Sequence, residues 1–295
     1  MAQVLRDNGL SRLIDGDLER IADGFQFTEG PLELADGSIL FQDIKAERTY
    51  RWTEAEGAKV LREATGAANG QTFGPDGWIY FCEQNGRRIS RMRPDGSAVE
   101  AVVEEWQGKR LNSPNDIVAN PEGMLYFTDP PYGVAPDARA LHFQGVYTID
   151  PAGRLALRLD DFEKPNGLAL SPDGRTFYVC DTARYHVRSF ELDRSGVPII
   201  GTNRVFAQMD PGKPGGPDGM KVDQAGRVYV AVALGVWVYE PDGTLLGILE
   251  VPQRPSNLAW SGKGGETLVI TAVDAVYRIR MRVKGVTPPF ALSNV

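Results

Sequence analysis

The chain has 295 residues, 42% of them apolar and 24% charged, with a net charge of −7. That acidic balance excludes a nucleic acid partner, which would need a basic face. The N-terminal stretch MAQVLRDNGLSRLIDGD has no apolar core of a signal peptide, and no run of 18 apolar residues occurs, so neither export nor a membrane partner is expected.

The first 15 residues are the only stretch with a hint of helical period; strand patterns dominate the rest. LERIADGFQ (18–26) reads as a strand with no partner nearby. From there the chain repeats one unit: an apolar strand, a tight turn and a richer second strand. The units are LELADGSILFQDI, TFGPDGWIYFCEQ, IVANPEGMLYFTDP, LALSPDGRTFYVCDT and MKVDQAGRVYVAVA. The turns carry Asp36-Gly37, Asp76-Gly77, Glu122-Gly123, Asp173-Gly174 and Ala225-Gly226, where glycine supplies a positive φ without steric cost. The sixth unit uses SGKGGE (261–266) instead. Outer strands follow each pair, as in ISRMRPDGSAVE and VWVYEPDGTLLG.

A polar marker opens each unit: Glu29, Asn69, Asn115, Asn166, Asp218 and Asn257, spaced about 40 to 50 residues apart. Six strand–turn–strand repeats of that period predict an all-β, six-bladed β-propeller of four-stranded antiparallel blades. The repeats leave no linker, so residues 1–295 are expected to form a single domain. The 18–26 strand is expected to close the ring as the outer strand of blade 6, since an open propeller would leave bare strand edges. Two long connections stand out, 128–145 and 197–217, and both are read as rim loops or tolerated surface insertions.

Cys82 and Cys180 occupy the same position in blades 2 and 4. Those blades are not neighbours, so the thiols are expected unpaired in the core, as in a reducing, cytoplasmic compartment. The marker residues of a propeller face one another around the axis. Glu29, Asn115, Asn166 and Asp218 would then offer two carboxylates and two amides, an all-oxygen set that suits a hard cation such as Ca²⁺, Mg²⁺ or Mn²⁺. Taken singly, Asn-Gly and Asp-Gly are ordinary turn pairs; Glu29-Gly30-Pro31 is not. Glu83 and Asp181, closing their second strands, are read as exposed charges with a second option of reaching the channel.

FTEGP, RLNSPNDIV with YFTDPPYG, KPNGLALSPDG, GPDGMKVD and PSNLAW together resemble the gluconolactonase/senescence-marker-protein/luciferin-regenerating-enzyme family, over roughly residues 18 to 281. The resemblance implies a divalent-metal-dependent hydrolase that opens a lactone ring, a sugar lactone such as gluconolactone first among them. It implies that Glu29, Asn166 and Asp218 hold the ion, with Asn115 as a fourth ligand or a substrate-orienting group. Ca²⁺ is the first expectation for that ion, with Zn²⁺, Mg²⁺ and Mn²⁺ as alternatives. By the same resemblance Asp218 is the catalytic base or nucleophile and Arg110 contacts substrate. Asn112 is assigned to ring hydroxyls or the carbonyl, and Tyr132 to the pocket wall. Gln84 departs from the pattern, since many relatives carry His there. A small-molecule lactone is the expected partner, for a monomer or small homo-oligomer. An organophosphate or other ester hydrolase on the same scaffold, or a non-catalytic binding platform, are the competing readings. No Gly-x-Ser-x-Gly elbow occurs, and PGKPGGPDG lacks the ending of a phosphate-binding loop.

Overall fold

The computed structural model describes residues 2–291; residues 1 and 292–295 of the expected 1–295 span lie outside the described residues. Six antiparallel blades form a ring, a six-bladed β-propeller. From the axis outward, blade 1 is Thr28–Glu33, Ile39–Asp43, Arg48–Thr53 and Gly57–Glu63. Blade 2 is Ala68–Phe73, Ile79–Glu83, Arg88–Met92 and Glu100–Val103, and blade 3 is Ile117–Ala119, Leu125–Asp129, Gln144–Ile149 and Leu155–Phe162. Blade 4 is Pro165–Leu170, Thr176–Asp181, His186–Glu191 and Arg204–Gln208. Blade 5 is Met220–Val222, Val228–Val232, Gly235–Tyr239 and Leu245–Glu250, and blade 6 is Pro255–Ser261, Thr267–Ala272 and Ala275–Arg280.

The ring closes as expected: Glu19–Asp23 pairs antiparallel with Ala275–Arg280 as the fourth strand of blade 6. A second closure was not foreseen. Val4–Asp7 adds a fifth strand to blade 5, and only Leu10–Leu13 of the N-terminal stretch is helical, as a single short turn. The 197–217 insertion also shrinks, because Arg204–Gln208 within it is the outer strand of blade 4.

Second strands are buried along their length because a blade packs against a neighbour on both faces. This accounts for their aromatic and β-branched content. Phe41, Trp52, Val269 and Val276 form the seam between blades 6 and 1; Leu32, Leu40, Phe73 and Phe81 form the one between blades 1 and 2. Cys82 and Cys180 are buried, free thiols.

Four second strands end in an acidic residue, and these are buried rather than exposed: Asp43, Glu83, Asp129 and Asp181 are at most 2% exposed. Asp43 accepts the backbone N–H groups of Gln26 and Phe27. Asp129 accepts those of Asn112 and Ser113, and Asp181 those of Glu163 and Lys164. Each carboxylate thus fixes the chain just before it enters the inner strand. Glu83 instead pairs with Arg88 at 2.9 Å. The expectation of exposed strand-end charges fails at Asp181 because incoming backbone donors need an acceptor, and at Glu83 because the Arg88 guanidinium accompanies it inward.

Candidate active site

Each inner strand carries a β-bulge at its marker, one extra residue opposite the second strand. In blade 1 the register passes from Glu29↔Gln42 to Leu32↔Leu40, and in blade 4 from Pro165↔Asp181 to Leu168↔Val179. In blade 5, Asp218 N donates to Ala231 O and Ala231 N to Gly219 O, so one residue faces two. Blade 3 does the same with Thr128 against Asn115 and Asp116. A bulge re-aims side chains that a regular pleat would alternate, so two successive residues of each blade reach the axis.

Backbone hydrogen bonds then tie blade to blade: Gly70 N to Asn115 O, Gly167 N to Asp218 O and Gly219 N to Ser256 O. This register corrects one assignment. The residue of blade 6 equivalent to Asp218 is Ser256, and Asn257 stands one step further, level with the glycines. Glycine at that step is enforced by the close approach; a Cβ on Gly30, already at φ 51°, would lie 2.2 Å from Asn69 O.

Glu29 is 3% exposed, and its Oε2 accepts from Gly30 N at 2.8 Å and from Asn257 Nδ2 at 2.9 Å. Burial holds its pKa well above the usual carboxylate range, and the charges of Asp218 and Asp116 push the same way. Burial lifts Asp218 to about 6 against the pull of Arg254 and of the Asn166 amide; the Arg254 guanidinium stands 3.8 Å from Asp218 Oδ2. Asn166 Nδ2 also donates to the Tyr132 hydroxyl at 3.3 Å and to Thr182 Oγ1 at 3.1 Å. Thr182 in turn donates to Pro217 O at 2.7 Å, tying blade 4 to the residue before Asp218. Glu29, Asn166, Asp218 and Tyr132 therefore belong to one interacting group. Asn115 is 5% exposed at the equivalent point of blade 3.

The remaining predicted residues lie further out. Arg110 sits on an exposed two-stranded hairpin, Glu105–Trp106 with Lys109–Arg110, and donates to Gly86 O at 3.0 Å. Asn112 is fully buried, and its Nδ2 donates to Asp129 O and Phe143 O. That amide staples the root of the 128–145 connection, which carries Tyr132. Arg87 supports the same loop through Leu111 O, Asn112 O and Ala138 O. Burial, then Asp218, pushes the Tyr132 hydroxyl up to about 12. His142 is exposed and His186 half-buried on a third strand.

The sequence reading passed over Asp116 and Lys221, which reach the channel together with Asn257. A signal was present: Asp116 stands where most of the other repeats carry glycine. Among the described residues, no three His, Cys, Asp or Glu side chains are placed to hold a metal. Any metal would fall to the mixed carboxylate and amide set at the axis, with Glu29, Asn166 and Asp218 as donors and Asn115 adjoining. A cavity of about 630 Å³ opens at the opposite end of the inner strands among Leu32, Ala119, Leu170, Val222 and Trp260. It is mostly apolar and holds none of the predicted site residues.

The model of the SMP-30/Gluconolactonase/LRE-like region matches residues 27–274. The gluconolactonase of Zymomonas mobilis is 34% identical over 292 residues, covering 91% of this chain and 82% of that protein. A solved gluconolactonase from Xanthomonas campestris is 30% identical with a TM-score of 0.84, covering 95% of this chain and 93% of that one. Regucalcin of Agrobacterium tumefaciens, at 20% identity and a TM-score of 0.78 over 94% and 97% of the two chains, shares the fold.

Proposed function

The chain belongs to the SMP-30/gluconolactonase/LRE-like family, and from that premise we propose that it is a divalent-metal-dependent lactonase that opens a sugar lactone such as gluconolactone. The observation that carries the metal requirement is the pair of mutually interacting carboxylates at the axial bulges, buried Glu29 and part-buried Asp218. Two such groups close together and largely withdrawn from water are costly without a cation, and Arg254 at 3.8 Å reaches only one of them. The donors Glu29, Asn166 and Asp218, with Asn115 beside them, fit a hard ion, Ca²⁺ before Zn²⁺, Mg²⁺ or Mn²⁺.

When bound, such an ion supplies Lewis-acid polarisation of the lactone carbonyl and stabilises charge on its oxygen. Asp218 takes the proton from the attacking water; burial raises its pKa to about 6 in the metal-free protein, and a bound cation would lower it again. Tyr132, kept protonated by its raised pKa, offers the ring a hydrogen-bond donor and not an anion. Asn166 orients both by contacting Tyr132 and Asp218. Arg110 presents a guanidinium at the rim, where it meets ring hydroxyls, and Asn112 acts by holding the loop beneath. Water adds to the carbonyl carbon, the ring C–O bond breaks, and a hydroxy acid leaves.

A lactone panel with a pH indicator tests this, because ring opening releases acid. Turnover is expected to vanish after chelation and to return with added divalent ion; turnover that survives chelation would overturn the metal reading. Asp218→Asn should abolish turnover with the fold intact.

A further inference from the structure

Below the markers a second tier of side chains crosses the channel. At the residue after the marker, blades 1, 2, 4 and 5 carry Gly30, Gly70, Gly167 and Gly219, whereas blades 3 and 6 carry Asp116 and Asn257. The two side chains lie over the bare backbone of their neighbours: a Cβ on Gly70 would sit 2.2 Å from Asp116 Oδ1, and one on Gly219 2.2 Å from Asn257 Oδ1. Asp116 is 2% exposed; its Oδ1 accepts Ile117 N, and its Oδ2 has no hydrogen-bond partner in the protein. Asn257 Oδ1 accepts Leu258 N at 2.8 Å, which leaves Nδ2 for Glu29.

Lys221, from blade 5, enters this tier. Its Nζ donates to Met220 O at 3.0 Å and to Asn257 Oδ1 at 3.4 Å. Its charge opposes the burial that raises the Asp116 pKa. The ammonium thus rests against a carbonyl and an amide oxygen, donor types that hold hard cations, and the Asp116 carboxylate feels its charge without a close ion pair. Asn257 does not depend on Lys221 for its orientation, because the Leu258 N–H already fixes its oxygen. What Lys221 supplies is positive charge to a carboxylate that would otherwise be stranded in the interior.

We propose that the Lys221 ammonium is the resident cation of a second, lower site formed by Asp116, Asn257 Oδ1 and Met220 O, and that it limits the channel to a single exchangeable divalent ion. The upper ion belongs to the function proposed above; the lower site stands on its own residues.

The test is calcium stoichiometry by titration calorimetry on chelator-treated protein, with total metal checked by elemental analysis. Lys221→Met keeps the length and removes the charge. It should bind one equivalent more than the unaltered protein, and Lys221→Met with Asp116→Asn should lose that extra equivalent. One equivalent in both the unaltered protein and Lys221→Met overturns the inference and leaves the upper ion standing. None in the unaltered protein and one in Lys221→Met supports the lower site and removes the upper ion. If Lys221→Met is unfolded by circular dichroism, refolding in Ca²⁺ but not in Na⁺ supports the inference, and failure in both overturns it.

Discussion

Gly167→Ala puts the axial bulges to a direct test. The added Cβ would lie 2.2 Å from Asp218 O, 2.7 Å from Gly219 Cα and 2.9 Å from Gly219 C, all of them backbone atoms of the next blade. Carbon contacts settle near 3.5 to 4.0 Å, so the inner strand of blade 5 must retreat by about 1 Å. Overpacking of this kind costs roughly 1–3 kcal/mol, read as a lower urea midpoint. The larger effect falls on the site, because the atoms displaced include the Asp218 backbone and the bond from Gly167 N to Asp218 O. A 1 Å misplacement can cost about 100-fold in turnover. Gly174→Ala is the control, in the same blade at φ 67° with nothing within 4 Å of a Cβ. It should lose roughly 1–2 kcal/mol to the left-handed backbone and keep full lactonase turnover. Lactone hydrolysis and divalent-ion affinity would be measured on both variants. Native turnover and affinity in Gly167→Ala would refute the account of the bulge as the device that sets the site.

Asp129 gives a pH signature. Burial raises it to about 7 against the pull of the Asn112 and Ser113 N–H groups, while an aspartate in the unfolded chain titrates near 3.9. The folded protein holds that proton more tightly, so the stability it brings is whole below about pH 4 and is lost as pH rises through 7, about 4 kcal/mol in all. Asp129→Asn should remove this slope, seen as a urea midpoint that falls less between pH 5 and 7 than in the unaltered protein; parallel curves would reject it. Glu29→Gln should weaken divalent-ion binding by at least tenfold in a calorimetric titration, and unchanged affinity would remove Glu29 from the ligand set. Asn112→Ala strips two donors from the buried Asp129 and Phe143 carbonyls, at about 1–3 kcal/mol. It should speed proteolysis within 130–143, and an unaltered cleavage rate would count against the staple.

The blades were legible because their period, turn glycines and apolar second strands all answer to one requirement, a strand packed on both faces. The closing strand 19–23 was legible because blade 6 lacked a fourth strand. Val4–Asp7 was not, since its four residues are mostly exposed and carry little apolar signal. The bulges left no trace in an alternating pattern, which is why Asn257 was taken for the sixth marker in place of Ser256. Asp116 was hidden for a related reason: beside Asn115 it reads as one more polar turn residue, and only the extra residue in the strand turns both inward. Burial of Asp181 depends on backbone donors that arrive from the preceding connection, and burial of Glu83 on the Arg88 guanidinium; a local reading sees neither.

The double closure by the N-terminal strands has a consequence for biosynthesis. Glu19 pairs with Arg278 across 259 residues of chain, and Val4–Asp7 meets the outer strand of blade 5. On the ribosome these two segments emerge more than 200 residues before the strands they pair with. Until then both segments stay unmated, and the growing β stack keeps an open flank. Ring closure is therefore expected to wait for blades 5 and 6, with slow, non-local pairing as its last step.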